Sequence, residues 1–370
     1  MLVDDLPILP HTRIETFFPS GPLGSVEGMQ RHRATYLRSS LYDFGVLLHR
    51  REATVDVALV QAAHSRAGGY SLGVSLDYTV EAASQAEITV LELGGGVPDT
   101  GPHLEERSDR FVPVEIGSTP ATAVRTAKEC DAVIARHIAE WIPDRATLQF
   151  GMASWTDAIA DELRDRSHLR VHTGLVGDWA RKLDAFGALE RGHPIVGTGA
   201  GGSAEFYLWL ARSRRVDLQS CLNSHSPHVL EQLPRFVCVN SVLEVDLMGA
   251  CNAEVGRNDR RGGLAGLLDF GRAANRNPGA LSVVAMRATA GPHSRIVRRI
   301  IDEDSALPDL ADVVVTEYGS ADLRGADAPT RAERLIRVAA PEHREALASA
   351  ARNTQSRTRN TQHLRREQRT

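Results

Sequence analysis

Two open α/β domains in tandem are what this sequence predicts, on three observations. Short β-branched runs recur along the chain and alternate with stretches of helical spacing, as in parallel sheets joined by crossover helices. Glycine and proline stop the runs abruptly, as at Gly94-Gly95-Gly96-Val97-Pro98. The chain has 370 residues and 42% hydrophobic content, enough to bury a large core, and its length favours two domains over one.

Residues 55–60 and 86–93 read as strands, and 111–116 as an edge strand, where Pro113 costs least. Residues 122–141 carry Val124, Ala127, Ala132, Ile134, Ile138 and Trp141 at three- and four-residue spacing, the mark of an amphipathic helix. Ile142-Pro143-Asp144 ends it, and a domain boundary is placed there, giving domains 1–142 and 143–350. The second half repeats the pattern. Strands are expected at 147–150, 169–172, 194–196, 236–239, 282–286 and 313–315, with helices at 157–163, 204–211 and 332–338. Residues 351–370 hold six arginines and one acid with little apolar surface to offset ordering entropy, so a disordered basic tail is expected.

A formal net charge of −4 gives no general case for nucleic acid or a membrane surface as partner. No apolar run is long enough to span a bilayer. Met1 to Pro10 include Asp4 and Asp5 and lack a basic start followed by an apolar core, so no secretory signal is expected. Cys130, Cys221, Cys238 and Cys251 have no zinc-site spacing and read as reduced thiols of a cytoplasmic protein. His225 and His228 flank Ser226-Pro227, a turn, and a metal there would need further ligands; no metal is expected.

The chemistry-bearing stretches are ordered along the chain. They are Leu148-Gln149-Phe150-Gly151, His172-Thr173-Gly174-Leu175, Asn240-Ser241-Val242-Leu243-Glu244-Val245-Asp246-Leu247, Gly262-Gly263-Leu264-Ala265-Gly266 and Thr316-Glu317-Tyr318-Gly319. Gly262, Gly263 and Gly266 let backbone N–H groups approach a ligand, and such donors can stabilise an oxyanion that forms on it. A tight turn packed under a helix is the structural alternative. Glu317 is expensive to bury without a partner, and a salt bridge to Arg295 or Arg324 is its structural alternative. His172 reads either as a base or as a strand-end core histidine, and a buried amide bonded to backbone is the structural reading of Asn240.

Together these stretches, from about residue 55 to 347, resemble the acetyl-CoA hydrolase/4-hydroxybutyrate CoA-transferase family. The resemblance implies two α/β domains of the CoA-transferase type, the first of them shortened at its start. It implies a coenzyme A thioester as substrate, no permanently bound cofactor, and a homodimer. It also implies Asn240 as a substrate-holding amide and Glu317 as the carboxylate near the thioester. Gly151, Gly174, Gly263, Gly266, Tyr318 and Gly319 are the remaining binding positions.

One departure outweighs the others. Gly174 stands where the family carries its nucleophilic glutamate, so the route through an enzyme-bound anhydride is closed to this chain. Ala153, Trp155 and Ala265 and a shortened stretch before Ser294 are further changes among the same motifs. The expected function is an enzyme acting on an acyl thioester without a covalent glutamate, by decarboxylation, hydrolysis or direct transfer, with Glu317 or His172 as base. A conventional acyl-CoA:carboxylate CoA-transferase and a non-catalytic acyl-CoA-binding pseudoenzyme are the alternatives.

Overall fold

The computed structural model describes residues 12–16, 18–19, 23–105, 109–118, 129–256 and 262–352. The basic tail from residue 353, the first part of the helix expected over 122–141, and the arginines at 257, 260 and 261 lie outside them. By contacts the chain divides into two units. The larger comprises Leu37–Asn240 and Leu264–Leu281; the other gathers the described residues of Met1–Tyr36, Ser241–Gly263 and Ser282–Thr370. The boundary expected at 142/143 falls inside the larger unit. The physical reason is burial: helix Glu129–Ala139 lies against helix Thr156–Glu162, and Ile142 and Ala146 are fully enclosed.

Five parallel strands form the main sheet of the larger unit, in the order Val216–Leu218, Ile195–Gly197, Arg170–His172, Thr147–Phe150, Phe236–Ser241. Thr147–Phe150 and Phe236–Val239 are almost wholly buried, which is why they read as continuous apolar runs rather than alternating ones. Serines start several helices. The Ser40 hydroxyl accepts from the Asp43 amide at 3.1 Å to cap Leu41–His49, and Ser203 accepts from Phe206 at 3.2 Å to cap Ala204–Leu210.

A second sheet of this unit has the order Tyr70–Ser71, Val57–His64, Ile88–Gly95, Phe111–Ser118, parallel except for the Tyr70–Ser71 pairing. Pro113 sits on the edge strand, as its missing N–H requires. In the other unit, Leu281–Ala285 pairs in parallel with Val313–Thr316, which turns back antiparallel into Gly319–Asp322. A smaller sheet joins Glu244–Asp246 to Cys251–Asn252 and Ile296–Val297. These two- and three-residue strands have no periodicity to announce them, and the sequence reading missed them.

Helix Leu267–Arg276 is tied to the start of helix Leu41–His49. The Leu41 amide donates to the Ala265 carbonyl at 3.1 Å, and the Tyr42 amide to the Asp269 carboxylate at 3.2 Å. Although Asp269 keeps part of its surface, its carboxyl is enclosed, and burial pushes it from 3.8 up to about 7. Between those values the folded chain holds a proton that the unfolded chain has released, so stability falls as pH rises through this window. Asp269→Asn removes the titration. Melted beside the parent, it should gain in Tm from about pH 4 upward, with the gain levelling off above about pH 8. A gain independent of pH would sink this assignment.

Candidate active site

The chain reverses its direction of growth across these five strands between Thr147–Phe150 and Phe236–Ser241. From 147–150 it builds outward through 170–172 and 195–197 to 216–218, then returns to lay 236–241 on the opposite side. At such a switch point the loops leaving the carboxyl ends of the two strands diverge and open a crevice. Gly151 and Asn240 occupy those two carboxyl ends.

The Gly151 amide is committed to the sheet, donating to the Val239 carbonyl at 2.9 Å. Gln149 and Asn240 form a reciprocal amide pair. Gln149 Nε2 donates to Asn240 Oδ1 at 3.2 Å, and Asn240 Nδ2 donates to Gln149 Oε1 at 3.0 Å. A Cβ at Gly151 would stand 3.0 Å from Asn240 Oδ1, so glycine here keeps the carboxamide uncrowded. The sequence singled out Asn240 and Gly151 but not Gln149, whose importance appears only once the two strands lie side by side.

The loop after Arg170–His172 joins this region through Thr173. Its buried hydroxyl donates to the Phe150 carbonyl at 3.1 Å and accepts from the Phe150 amide at 3.4 Å. His172 is buried, with Nε2 lying 2.7 Å from the Ser224 carbonyl, so Nε2 carries the proton and donates it there. Burial also lowers the His172 pKa. The geometry therefore favours the strand-end core reading of His172 over the base.

The side-chain direction of Gly174 ends on two rings. A Cβ there would stand 3.3 Å from His225 Nε2 and 3.5 Å from Phe270 Cε2. The two rings pack together with centroids 4.6 Å apart. The Ser224 hydroxyl gives its proton to the Ser220 carbonyl at 3.0 Å, so it accepts from His225 Nδ1 at 3.0 Å and Nε2 bears the lone pair. Burial pushes His225 down to about 3, which keeps the ring neutral. Gly266 faces the same pair: its Cβ would meet His225 Nε2 at 2.8 Å and Phe270 Cε2 at 3.0 Å. Gly266→Ala should therefore cost about 1–3 kcal/mol, read as a lower denaturation midpoint with unchanged m-value. Parent-like stability would show the rings to be freer than this packing implies. The sequence offered His225 only as a remote metal ligand; its place against Gly174 depends on a fold that brings 174, 225 and 266 together.

In the other unit, Glu317 and Tyr318 make the two-residue turn between Val313–Thr316 and Gly319–Asp322. Gly319 has φ +127°, a conformation that admits little but glycine. The Glu317 carboxylate accepts from the Ala288 amide at 2.8 Å. The expected guanidinium partners are engaged elsewhere, Arg324 with Asp322 at 2.9 Å and Arg295 with the carbonyls of Leu243 and Val242 at 2.7 and 3.1 Å. Tyr318 is exposed, with the Arg344 guanidinium 5.6 Å from its ring centre. Beside Gly263, the Gly262 amide donates to the Glu254 carbonyl at 2.9 Å, and a Cβ on Gly262 would strike the Ala253 carbonyl oxygen at 2.3 Å. The predicted positions thus divide: Gly151, His172, Gly174, Asn240 and Gly266 lie in the larger unit, and Gly263, Glu317, Tyr318 and Gly319 in the other. Among the described residues, no three His, Cys, Asp or Glu side chains gather as a metal site. Nor is any helix among them long and apolar enough to cross a membrane.

A parallel sheet whose strand order reverses between Thr147–Phe150 and Phe236–Ser241 is the frame of an open α/β protein. Comparison with known proteins gives the frame a family. Residues 202–351 match the acetyl-CoA hydrolase/transferase C-terminal domain. The 4-hydroxybutyrate coenzyme A transferase of Clostridium kluyveri is 32% identical over 87% of this chain and 82% of its own length. An acetyl-CoA hydrolase of Eremothecium gossypii is 27% identical over 88% of this chain and 71% of that protein. Among solved structures, RipA from Yersinia pestis superposes with a TM-score of 0.78 at 27% identity, covering 89% of this chain and 78% of RipA. The 4-hydroxybutyrate CoA-transferase of Porphyromonas gingivalis gives 0.73 at 28% identity, over 88% and 82% of the two chains. The chain belongs to the acetyl-CoA hydrolase/transferase family.

Proposed function

We propose that this chain processes an acyl-CoA thioester by a route that forms no enzyme-bound glutamyl anhydride: hydrolysis, decarboxylation or direct acyl transfer. The observation that supports this reading most is the surroundings of Gly174. Position 174, which resemblance aligns with the family's nucleophile, offers no carboxylate, and its side-chain direction meets the neutral His225 ring and Phe270. Neither is placed to form the acyl anhydride that the covalent route needs.

The assignments follow from what each group can do. Asn240, an amide donor at the sheet's switch point, suits a thioester carbonyl oxygen, whose negative charge grows whether water, an acceptor or a decarboxylating carbanion is involved. Glu317 is assigned proton transfer, because family resemblance puts it near the thioester and its carboxylate takes a single N–H. In the hydrolytic form, water adds to the carbonyl carbon while Glu317 takes its proton. The C–S bond then breaks, and the proton passes to the leaving thiolate. Gly151, Gly174, Gly263, Gly266, Tyr318 and Gly319 are retained as positions near bound CoA ester. A homodimer is proposed on family resemblance.

The test is product analysis by mass spectrometry after incubation with a panel of acyl-CoAs, carboxylated ones included, with and without acetate. Free CoA or a decarboxylated ester formed without acetate is the expected result. CoA exchange that depends on acetate would restore ordinary transfer, and binding without any product would make the chain a pseudoenzyme.

A further inference from the structure

We propose that Gln149 is a positioning residue: its reciprocal pairing with Asn240 fixes that carboxamide so that the second Asn240 N–H is offered to the thioester carbonyl. This rests on the acyl-thioester reading above and adds to it a residue and a geometry.

Two independent observations carry it. The first is the pairing itself. An amide flip of either partner would set N–H against N–H and oxygen against oxygen, losing both bonds, at 3.2 and 3.0 Å, in one step. With both side chains buried, each lost bond leaves polar atoms unsatisfied, so a single orientation is held. The second is what remains unspent. Asn240 Nδ2 carries two N–H groups; Gln149 takes one, and the other has no partner among the described residues. A buried N–H left open is a cost that a core amide would normally avoid. Here it stands at the carboxyl end of a switch-point strand, where a ligand can supply the missing acceptor. The neighbouring Gly151 amide cannot do this work, since it is bonded to Val239.

Gln149→Leu removes both bonds and frees the Asn240 carboxamide to turn. Gln149→Glu still accepts from Nδ2 but gives nothing back to Oδ1. Both are assayed in the full chain by formation of whichever product, free CoA or decarboxylated ester, the parent gives from the acyl-CoA on which it is most active. In both variants kcat is expected to fall about 10- to 100-fold with KM within about twofold, less than the roughly 10²- to 10³-fold for outright loss of an oxyanion donor because the Asn240 amide is freed to turn rather than removed. Exchanging the two amides, Gln149→Asn with Asn240→Gln, should recover part of kcat, which a role confined to folding would not predict. Should the single variants misfold, NMR of the parent decides. A ketone analogue of acetyl-CoA, with CH2 in place of sulfur, should shift the Asn240 amide proton not held by Gln149 and leave its partner nearly still. Parent-like kcat in Gln149→Leu, or an unmoved Asn240 resonance on saturation, would overturn the inference and leave the acyl-thioester reading standing. A parent that neither binds the analogue nor turns over any acyl-CoA would remove both.

Discussion

Glu317→Gln is expected to lower turnover of an acyl-CoA about 10²- to 10⁴-fold, the range for loss of a general base. Melting temperature should stay within a few degrees of the parent. The substitution keeps the side chain's length and an acceptor oxygen, so the bond from the Ala288 amide survives. It removes the charge and the lone pair that would take a proton. Stability is not at issue in a second respect, because Arg324 and Arg295 have their own partners and the carboxylate anchors neither. Steady-state rates together with CoA affinity by calorimetry check the claim. Intact binding with collapsed kcat is the expected pair of results. A variant with parent-like kcat would show that the proton is handled elsewhere, and His172 is a poor second choice with Nε2 committed to the Ser224 carbonyl.

The second large effect concerns position 174. Gly174→Glu is expected to cost about 1–3 kcal/mol in stability and to create no acetate-dependent CoA exchange. The backbone is not the obstacle. The obstacle is the neutral, buried His225 ring, which at 3.3 Å crowds the first added carbon, while Phe270 closes the same side in ordinary contact at 3.5 Å. His225 is held by Ser224 and packed at a tilt against Phe270, so it has little freedom to retreat. A carboxylate forced in beside them loses hydration without gaining a cationic partner. Gly174→Ala separates the terms, carrying the steric contact but no charge. Denaturation curves for both variants, and an exchange assay with labelled acetate, give the reading. Acetate-dependent exchange in Gly174→Glu at parent-like stability would mean that only the nucleophile has been lost and the pocket is otherwise that of a transferase.

Much of the fold is legible in the chain. The strand at 147–150 is found at those residues, and those at 169–172, 194–196, 236–239, 282–286 and 313–315 are each found within one or two residues at either end. Buried parallel strands are short apolar runs cut off by glycine, proline or polar turns, so their signal is local. The edge position of the 111–116 strand followed from Pro113 for the same local reason. The domain boundary did not follow. Proline at 143 ends a helix convincingly, but whether a helix end is also a domain end depends on what packs across it, and Ile142 and Ala146 are buried within one unit.

The site divides along the same line. Sequence alone determined that the chain is α/β and that position 174 has no side chain, and its ordered motifs carried the resemblance to the acetyl-CoA hydrolase/transferase family, because local order and residue identity are written along the chain. Only the tertiary structure decided that Gln149 clasps Asn240 across 91 residues and that Gly174 and Gly266 meet one histidine ring. It also decided that His172 is spent on a carbonyl. Those are contacts between residues far apart in the chain, set by strand order and register, and no local periodicity encodes which distant strand becomes a neighbour.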